Sequence, residues 1–284
     1  MARMRGIAGR VEHLLGQAVV ATTPVAWGDI CTSTRVRLSD GSSALVKTRA
    51  GAPDGFFETE ARGLRWLAEP GKVDVAEVLA VEHDCLVLRW IEPARPTAET
   101  AAALGRSLAR LHASAADGFG ADEDGFIGLL PLPNKTAPTW PEFYATRRVL
   151  PYLKLAFDRG NVEASDVRTI EVLVGRITEI AGPEEAPARL HGDLWSGNVV
   201  WSTEHGTLID PAAHGGHRET DLAMLTLFGL PHLQRLMDAY RDEHPLADGW
   251  EERQPLHQLF PLLVHAALFG GNYGRRAAEA ATRL

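Results

Sequence analysis

The stretch His191-Gly-Asp-Leu-Trp-Ser-Gly-Asn198, followed by Ile209-Asp210-Pro211, decides the fold that we predict for this chain. It contains an acid, an amide and a second acid in that order: Asp193 lies five residues before Asn198, and Asp210 ends an apolar run further along. Carboxylate and amide oxygens are good ligands for Mg²⁺, and a carboxylate beside a hydroxyl can accept its proton. The pattern therefore indicates chemistry on a hydroxyl group, assisted by a divalent cation.

This spacing resembles that of kinases, in which a catalytic Asp precedes a metal-binding Asn by five residues and a second metal-binding Asp follows. On that pattern, Asp193 is predicted to accept the proton of an acceptor hydroxyl, and Asn198 and Asp210 are predicted to hold Mg²⁺. The motif by itself leaves a simpler alternative open, in which Asp193 caps a helix and Asn198 binds backbone groups in an ordinary loop. The remainder of the chain decides between the two.

Composition describes an ordinary globular protein and argues against several kinds of partner. The 284 residues are 45% hydrophobic and 23% charged, which is enough to bury a sizeable core. The net charge of −8 argues against a nucleic-acid or anionic-membrane binder, which would carry a basic surplus. Two cysteines, Cys31 and Cys85, are too few for a disulfide framework, and neither a signal-peptide core nor a membrane-spanning apolar run is found. We predict a cytoplasmic protein without a nucleic-acid or membrane partner; composition leaves its oligomeric state unknown.

The first ninety residues alternate short β-like runs with one helical run, which predicts a small nucleotide-binding lobe over residues 1–90. Alternating apolar residues predict strands, and Asp40-Gly41 predicts a hairpin turn. Apolar residues at helical spacing predict one helix after the third strand. The predicted elements are strands at Ala18–Val25, Ser33–Leu38, Ala44–Lys47, Val78–Val81 and Cys85–Leu88, and a helix at Phe56–Leu67. An antiparallel sheet with one inserted helix is the layout of a kinase small lobe.

Beyond this sheet the chain is mostly helical, which predicts a second lobe over residues 91–284. The segment Arg89–Pro96 contains two prolines, leaves the strand and is predicted to be a hinge. Residues 113–138 are rich in Gly, Asp and Pro and are predicted to be a long surface connection. Helices are predicted at Thr97–His112, Pro141–Asp158, Ala164–Ile180, Asp221–Phe228, Pro231–His244 and Leu256–Phe269. The predicted fold class is therefore α+β, a two-lobed protein-kinase-like fold.

A lysine and a glutamate in the small lobe add to the pattern. Lys47 closes the third strand, and Glu60 lies in the first turns of the next helix. A strand-borne Lys paired with a helix Glu is the device that aims an ammonium group at nucleotide phosphates. Glu58 is a rival partner by spacing, and Glu60 is preferred because Ala61 and Leu64 should face the sheet. Together with the acid, amide and acid of the second lobe, this pair favours the kinase interpretation over an ordinary loop.

The same interpretation predicts ATP and Mg²⁺ as cofactors. The loop that covers the phosphates is expected at Ala26–Thr32, between the first two strands. It contains a single glycine, Gly28, so it is a weak match to a glycine-rich loop. Backbone groups from Arg89 to Ile91 are predicted to contact adenine.

Further motifs narrow the resemblance. Trp195-Ser-Gly197 is more specific than the His-Gly-Asp and Asn that aminoglycoside and choline kinases share. Other distinctive segments are Trp140-Pro-Glu-Phe-Tyr144 with Arg147, His214-Gly-Gly-His-Arg-Glu-Thr-Asp-Leu-Ala-Met224, Leu227-Phe-Gly229, Leu246-Ala-Asp-Gly-Trp250 and Leu263-Val-His-Ala-Ala-Leu-Phe-Gly-Gly-Asn-Tyr273. With these motifs the chain resembles the fructosamine kinase (ketosamine 3-kinase) family from about the first strand to Tyr273. It departs from that family at Trp27 and Cys31, where Gly and Asn are usual, and at Arg89, where an acid is usual.

The resemblance implies ATP-dependent phosphorylation of the 3-hydroxyl of ketosamines, which are sugar–amine adducts on small amines or on proteins. The phosphorylated product is unstable, so the family acts in deglycation, and bacterial members of this sort favour ribulosamine- or erythrulosamine-type substrates. Two alternatives stay open. One is another small-molecule kinase of the same fold, acting on an aminoglycoside, choline or a free sugar. The other is a nucleotide-binding pseudokinase, whose only support is the scarcity of glycine around Gly28.

The residues expected to contact the substrate follow from the same resemblance. Trp195 is predicted to form a stacking wall for the sugar–amine adduct. His265 is equally compatible with a substrate pocket and with a satisfied histidine in the core. Phe143 and Arg147, on the helix that begins near Trp140, are predicted to form the rim of the pocket.

Three further polar residues are predicted to support the site. His191 should hold the catalytic loop through hydrogen bonds rather than act as the base. Asp221 begins a helix and is either a first-turn acid or, as the resemblance implies, a partner of the catalytic-loop backbone. His214 and His217 are close enough to suggest a metal pair, but a zinc site requires three or four ligands and no companion cluster is evident. Their loop is expected to frame the active site instead.

Overall fold

An antiparallel sheet occupies the amino-terminal part of the chain. The computed structural model describes residues 6–26 and 30–284, and the elements of this part are α1 (Ile7–Leu15), β1 (Val19–Val25), β2 (Thr32–Leu38), β3 (Ser43–Thr48), α2 (Phe56–Ala68), β4 (Val78–Glu82) and β5 (Cys85–Arg89). The strands described here lie in the order β1-β2-β3-β5-β4, with antiparallel neighbours throughout. Each of the predicted strands, and the predicted helix, is present to within one residue of its predicted ends.

Side-chain alternation along β3 places Lys47 on the face of the sheet that packs against α2. Val46 points to the opposite face, where it is buried in a cluster with Val11 of α1. Leu45 points towards α2 and is buried with Phe57. Because side chains two residues apart share a face of a strand, Lys47 follows Leu45 to the α2 side.

Helix α1 is absent from the sequence-based prediction. It is short and carries few apolar residues, and an isolated helix of this length is marginal in water. It forms because Val11 is fully buried and Ile7, Leu14 and Leu15 pack beside it on the sheet. These four residues do lie at helical spacing, so the pattern was available in the sequence.

The rest of the chain is mainly helical. Its elements are α3 (Ala98–Ala113), β6 (Gly125–Ile127), β7 (Leu130–Leu132), α4 (Trp140–Phe143), α5 (Leu150–Asp158), α6 (Ala164–Val174), α7 (Ile177–Ile180), β8 (Ala188–Leu190), β9 (Val199–Trp201), β10 (Gly206–Leu208), β11 (His214–Gly216), α8 (Glu219–Phe228), α9 (Leu233–Glu243), α10 (Trp250–Phe269) and α11 (Tyr273–Ala281). The α+β class predicted from the sequence is confirmed. Among the described residues, no helix is both long enough and apolar enough to cross a membrane.

Several predicted elements in this part differ in detail. The helix predicted at Pro141–Asp158 is divided by a π-helical stretch, Tyr144–Val149, which takes an extra residue per turn. The helix predicted at Ala164–Ile180 ends at Val174 and resumes at Ile177. The predicted surface connection at residues 113–138 contains the hairpin β6–β7. Helix α10 begins six residues before its predicted start, and α11 was not predicted.

Two short antiparallel ladders hold the segments that carry the two acids and the amide of the motif. β8 pairs with β11, and β9 pairs with β10. The second pairing continues past its last rung, where the Ile209 amide donates a hydrogen bond to the Asn198 carbonyl oxygen at 3.1 Å. Asn198 immediately precedes β9 and Asp210 shortly follows β10, so the hairpin brings the two to the same end of the ladder.

Apolar packing crosses the boundary predicted after residue 90. Val200 and Ile209 belong to the same buried cluster as Phe57 of α2. Leu67, near the end of α2, belongs to a cluster with Leu104 of α3. Residues 90–97, all of which are described, contain neither helix nor strand. An irregular segment of this kind is compatible with the predicted hinge. The division into two lobes after residue 90 stays a prediction.

A buried ion-pair network anchors α8 to α10. Glu219 and Arg253 are 2% and 8% exposed, and Arg253 donates hydrogen bonds to both carboxylate oxygens, at 2.6 and 3.1 Å. His217 and His257 lie against the same carboxylate, with one ligand atom of each group within 4.8 Å of the others. The sequence shows no companion Cys or His cluster for His217, whereas the fold brings His257 of α10, forty residues away, to His217 and the neighbouring Glu219. Since Arg253 already binds both oxygens of Glu219, we interpret the cluster as structural.

Replacing Arg253 by Met should destabilise the fold strongly at neutral pH. Burial raises the pKa of Glu219, but its bonds from His257 and Arg253 outweigh burial and hold that pKa at about 2. The carboxylate is therefore ionised, and removal of Arg253 leaves it buried without its main partner. We expect a loss of about 3–5 kcal/mol in the free energy of unfolding, measured by urea denaturation.

Arg275→Met is the matched control, because Arg275 pairs with Glu279 at 3.0 Å on the surface. Exposed pairs of this kind contribute less than about 1 kcal/mol. The depressed pKa also fixes the direction of the pH effect. The stability that the Glu219 carboxylate adds to the unsubstituted protein is present above its ordinary pKa of 4.5 and is lost as the pH falls towards 2. An Arg253→Met protein as stable as the control would contradict the interpretation.

Candidate active site

Two carboxylates hold the ammonium group of Lys47. Its Nζ atom lies 2.5 Å from Oε1 of Glu60 and 2.9 Å from Oδ1 of Asp210, so the structure selects Glu60 over the rival Glu58. Burial lowers the pKa of Lys47, but the charges of Asp210 and Glu60 outweigh burial and hold the pKa above its ordinary value. Lys47 therefore stays charged, and one ammonium group joins β3, α2 and the segment after β10.

The backbone before Asp193 is held in an unusual turn. Gly192 has φ +80°, and a Cβ atom there would lie 2.1 Å from the carbonyl oxygen of Ala212, so the turn requires glycine. Asp221, in the first turn of α8, accepts hydrogen bonds from the amides of His191 at 2.7 Å and Gly192 at 2.9 Å. A buried carboxylate on a rigid helix thus fixes the turn that presents Asp193.

His191 connects this turn to the segment that carries the second acid. Its Nε2 atom lies 2.8 Å from the Ile209 carbonyl oxygen, and its Nδ1 atom lies 3.2 Å from the Asp193 amide. Nε2 must donate to the carbonyl, and Nδ1 must accept from the amide, which defines a neutral tautomer. Burial also lowers the pKa of His191. Both nitrogens are therefore occupied, and His191 has no free nitrogen with which to accept a proton from a substrate.

Asn198 binds Asp193 through its side-chain amide. Nδ2 of Asn198 donates to the Asp193 carbonyl oxygen at 2.7 Å and to the Asp193 carboxylate at 2.9 Å. Burial raises the pKa of Asp193 to about 7; the bond from Asn198 opposes this effect, and the charges of Asp210 and Asp221 add to it. A carboxyl group with a pKa near neutrality is well matched to the role of a general base.

Asp210 has a backbone conformation that is rare for a residue with a side chain. Its φ is +54°, in the left-handed region, which costs on the order of 1 kcal/mol. The bond to Lys47 is one interaction that compensates for this strain. Because Nδ2 of Asn198 is committed to Asp193, Oδ1 is the Asn198 atom available to a cation, and Asp210 supplies carboxylate oxygens beside it. Such an all-oxygen donor set suits Mg²⁺.

A cleft of about 360 Å³ joins these groups. Seven of the residues predicted for the site line it: Lys47, Glu60, Asp193, Trp195, Asn198, Asp210 and His265. His191 and Asp221 lie behind the wall, where both are fully or almost fully buried. The sequence pattern therefore assembles into one concave site with charged groups at its base.

Trp195 forms a partly exposed wall of this cleft, and the glycine two residues later makes room for it. The Trp195 side chain is 40% exposed. A Cβ atom on Gly197 would lie 2.4 Å from the indole ring, so any larger residue would displace the ring. His265 is half-buried at the same wall, and its Nδ1 atom donates to the Pro261 carbonyl oxygen at 2.8 Å. His265 therefore lines the cleft, and its contact with a substrate stays a prediction.

Phe143 and Arg147 do not line the cleft, so the prediction that they form its rim is wrong. Phe143 is 1% exposed, and its ring lies between the guanidinium group of Arg148, at 4.5 Å, and the His214 ring, at 5.8 Å. Arg147 donates to the carbonyl oxygen of Lys135 at 3.2 Å. The Phe143 ring faces the core behind β11, and the π-helical stretch begins at the next residue. The sequence pattern therefore did not show which face of this helix is buried.

The predicted nucleotide contacts at the hinge and the phosphate loop stay predictions. The side chain of Arg89 pairs with Glu77 at 2.9 Å. The backbone amide of Ile91 donates a hydrogen bond to none of the described residues. Gly28 and the departure at Trp27 lie outside the described residues. The residues directly after them, Ile30 and Cys31, line the cleft.

Sequence reasoning missed two parts of the cleft wall. One is the β6–β7 turn, where Phe126, Ile127 and Gly128 line the cleft, and Phe126 packs edge-on against Phe56 of α2 with ring centroids 5.5 Å apart. A glycine between apolar pairs was the available signal for this hairpin. The other part is Phe269, an exposed aromatic residue at the end of α10 that lines the cleft. The two glycines that follow it in the sequence indicate the end of a helix, but they do not indicate a binding site.

The fold and the site together define a phosphotransferase with a kinase-like architecture. The sheet carries a buried Lys–Glu pair, and the helical part presents an acid, an amide and a second acid to the same cleft. The chain belongs to the fructosamine kinase family, whose model matches residues 4–284. The resemblance inferred from the sequence motifs is thereby confirmed.

Related proteins agree with this assignment. A probable ketoamine kinase of Thermus thermophilus is 38% identical over 251 residues, which cover 88% of each chain. A probable ketoamine kinase of Enterococcus faecium is 34% identical over 264 residues, covering 90% of this chain and 92% of its relative. A crystal structure of a candidate fructosamine-3-kinase from Thermobifida fusca has a TM-score of 0.94 at 46% identity, with 98% of both chains covered.

The fold alone extends to more distant kinases. The aminoglycoside phosphotransferase APH(4)-Ia, in a ternary complex with AMP-PNP and hygromycin B, has a TM-score of 0.67 at 16% identity and covers 98% of this chain and 96% of its own. This likeness confirms the kinase-like architecture that was predicted from the sequence. At that identity it carries no information about the acceptor.

Gly197→Ala should weaken binding of the acceptor while leaving nucleotide binding nearly unchanged. The added methyl group would displace the Trp195 ring from its position in the cleft wall. If the acceptor loses one aromatic contact worth roughly 1.4 kcal/mol, its KM should rise about tenfold. Steady-state kinetics with acceptor and nucleotide varied separately would measure both constants. Gly118→Ala is the control, because its methyl group would meet only an ordinary contact at 3.8 Å. Equal effects of the two substitutions would contradict the role given to Gly197.

Proposed function

We propose that this protein transfers the γ-phosphoryl group of ATP to the 3-hydroxyl of ketosamines, as a step in deglycation. The observation that carries the proposal is the shared cleft: Lys47, Asp193, Asn198 and Asp210 line it together with the aromatic wall formed by Trp195. Family membership and the names of the related proteins support phosphoryl transfer to an acceptor of the ketoamine class.

In this proposal Asp193 accepts the proton of the 3-hydroxyl as that oxygen attacks phosphorus. A group beside the hydroxyl with a pKa of about 7 can hold a proton transiently and return it to solvent. The bonds from Asn198 orient the carboxylate, and the turn at Gly192 holds its backbone. Positioning of this kind supplies much of the catalysis of phosphoryl transfer, because the protein itself does little covalent chemistry.

The nucleotide and its metal would occupy the base of the cleft. Asn198 and Asp210 would hold Mg²⁺, which when bound neutralises phosphate charge. Lys47, kept charged and aimed by Glu60, would contact the phosphates. Backbone groups from Arg89 to Ile91 would contact adenine, and the loop around Gly28 would cover the phosphates.

The acceptor would lie against Trp195 and His265. The indole face offers a flat apolar surface to the sugar–amine adduct, and ribulosamine-type adducts are the substrates we expect. A ketosamine 3-phosphate is unstable and releases the amine, so phosphorylation would remove the sugar from a glycated small molecule or protein.

The experiment that tests this function compares acceptors in the presence of ATP and Mg²⁺. Ribulosamine and fructosamine adducts of methylamine, an aminoglycoside and choline would each be offered to the protein and to its Asp193→Asn variant. We expect turnover of the ketosamines alone, with a loss of at least about a hundredfold in the variant, because removal of a general base costs about 10²–10⁴ in rate. Nucleotide binding by the variant, measured by calorimetry, is the control for folding.

Other outcomes would replace the proposal. Turnover of choline or of the aminoglycoside would retain the mechanism and change the acceptor. Nucleotide binding without turnover of any acceptor would favour a pseudokinase. Near-normal turnover by Asp193→Asn would remove Asp193 from its role as the base.

The pH dependence gives a separate prediction for Asp193. The base must be ionised to act, and burial holds its pKa at about 7, far above the ordinary value of 3.8. We therefore expect kcat/KM for a ketosamine to rise with pH, to reach half of its maximum near pH 7 and to level off above about pH 8, because this constant reports on groups in the free enzyme. Initial rates in buffers of constant ionic strength would show the profile. A flat profile between about pH 5 and 8 would contradict it.

A further inference from the structure

The β6–β7 hairpin belongs to the helical part of the chain, but its tip contacts the part that carries the sheet. The Phe126 ring packs edge-on against Phe56, the first residue of α2, with ring centroids 5.5 Å apart. In the turn, a Cβ atom on Gly128 would lie 3.3 Å from Cδ1 of Ile30 and 3.2 Å from Cδ1 of Leu268 on α10. The hairpin therefore connects α10 with α2 at the wall of the cleft.

A second contact on α2 lies almost one turn further along the helix. A Cβ atom on Gly125 would lie only 3.2 Å from Cγ2 of Thr59, so the absence of a side chain lets β6 lie close against α2. Thr59 and Glu60 follow Phe56 by three and four residues, and residues at these spacings share one face of a helix. The hairpin therefore contacts the face of α2 that carries Glu60.

The first turn of α2 has little local support of its own. Gly55, which precedes the helix, lacks the side-chain hydrogen bond that Ser, Thr, Asn or Asp would supply at this position. Helix ends without such support tend to fray, so tertiary contacts must hold this turn. The buried ring of Phe56 is the first apolar group of the helix available for them.

Buried polar groups fix the base of the hairpin. The backbone amide of Asn134 donates to Oδ1 of Asp124 at 2.7 Å, and its Nδ2 atom donates to the Glu123 carbonyl oxygen at 3.1 Å, so the two ends of the hairpin are joined. Arg148, which is fully buried, donates to Oδ1 of Asn134 and to the Pro133 carbonyl oxygen, both at 2.6 Å. Because a satisfied buried network of this kind is rigid, the hairpin has a fixed position on the helical part.

The two faces of the hairpin have separate contacts. Phe126 packs against the cluster that contains Phe56, whereas Ile127, Leu130 and Leu132 are buried in the core of the helical part. Alternate residues of a strand point to opposite faces, which accounts for this division. One face thus anchors the hairpin, and the other face holds the first turn of α2.

The position of this turn matters for the ammonium group of Lys47. Glu60 lies 2.5 Å from Nζ of Lys47, and Asp210 is the other carboxylate in contact with it. An outward movement of the first turns of α2 would separate Glu60 from Lys47 and leave the ammonium group with Asp210 alone. The direction in which Lys47 presents its charge therefore depends on where α2 lies.

We propose that the β6–β7 hairpin holds α2 in place and that Phe126 is a positioning residue for phosphoryl transfer, which acts through Phe56 and Glu60 on Lys47. The hairpin is part of the same chain and is fixed by buried groups, so the Lys47–Glu60 pair is maintained without a partner protein or a modification. This inference rests on the proposed function in one respect, since it takes Lys47 to contact the nucleotide phosphates.

Phe126→Val removes the ring and keeps a residue that favours strands, so the hairpin should still form. Leu130→Val is the matched control, because Leu130 is on the same hairpin and faces the helical core. We expect hydrogen–deuterium exchange of residues 56–63, measured without nucleotide, to be about fivefold faster in Phe126→Val than in the control, since one aromatic pair is lost. Equal exchange in the two variants would overturn the inference.

Calorimetry with AMP-PNP and Mg²⁺ tests the step from α2 to Lys47. We expect Kd to rise about fivefold in Phe126→Val and less than about twofold in Leu130→Val. In a protein that already carries Glu60→Ala, Phe126→Val should change Kd less than about twofold, because the group that the hairpin positions is gone. An equal rise with and without Glu60 would mean that Phe126 contacts the nucleotide itself, and it would overturn the inference.

Steady-state kinetics with a ribulosamine complete the test. KM for ATP should rise in Phe126→Val while KM for the ribulosamine stays unchanged, and equal rises in both constants would contradict the role given to Phe126. The exchange and calorimetry measurements use no acceptor, so they decide the inference whichever acceptor the protein phosphorylates. Absence of nucleotide binding by the unsubstituted protein would overturn the proposed function and the inference together.

Discussion

The ammonium group of Lys47, shared between Glu60 and Asp210, is the interaction on which the rest of the site depends. A buried charge is costly to desolvate, and it is tolerated when partners of opposite charge lie in direct contact. Here the partners come from α2 and from the segment after β10. One cation on β3 therefore fixes the sheet, α2 and the segment that carries Asp210 relative to one another. The left-handed backbone of Asp210 is held within this arrangement.

The catalytic loop is fixed from its other side by neutral and anionic groups. Asp221 binds the backbone amides before Asp193, and the neutral ring of His191 binds the segment before Asp210. No described cation contacts the Asp193 carboxylate, whose bonds come from the amide of Asn198. The two acids of one cleft therefore differ in their surroundings: Asp210 is paired with a permanent cation, while burial raises the pKa of Asp193.

Local patterns were sufficient for the sheet and for the chemical core of the site. Alternation placed the strands to within one residue, and it placed Lys47 on the face next to α2. The five polar residues of the motif were chosen because their types and spacing suit phosphoryl transfer, and the structure brings all five to one cleft. The fold class followed from the change from period-two to helical patterns after residue 90.

The errors arose where tertiary contacts decide. Phe143 and Arg147 lie on a helix whose exposed and buried faces are set by packing against β11 and by a π-helical turn, neither of which leaves a local signal. Helix α1 is short and gains its stability from the sheet below it. Trp195, Phe228 and His265 lie in separate segments of the chain, so no spacing indicates that their rings meet.

The most direct test of the account is the transfer of labelled phosphate from γ-³²P-ATP to a ribulosamine as Mg²⁺ is varied, with the protein and its Asp210→Asn variant compared. The account predicts that the protein labels the ribulosamine and that the variant needs a much higher Mg²⁺ concentration and stays slower at saturation. Absence of label in the ribulosamine with the unsubstituted protein, or the same Mg²⁺ dependence in both proteins, would contradict it.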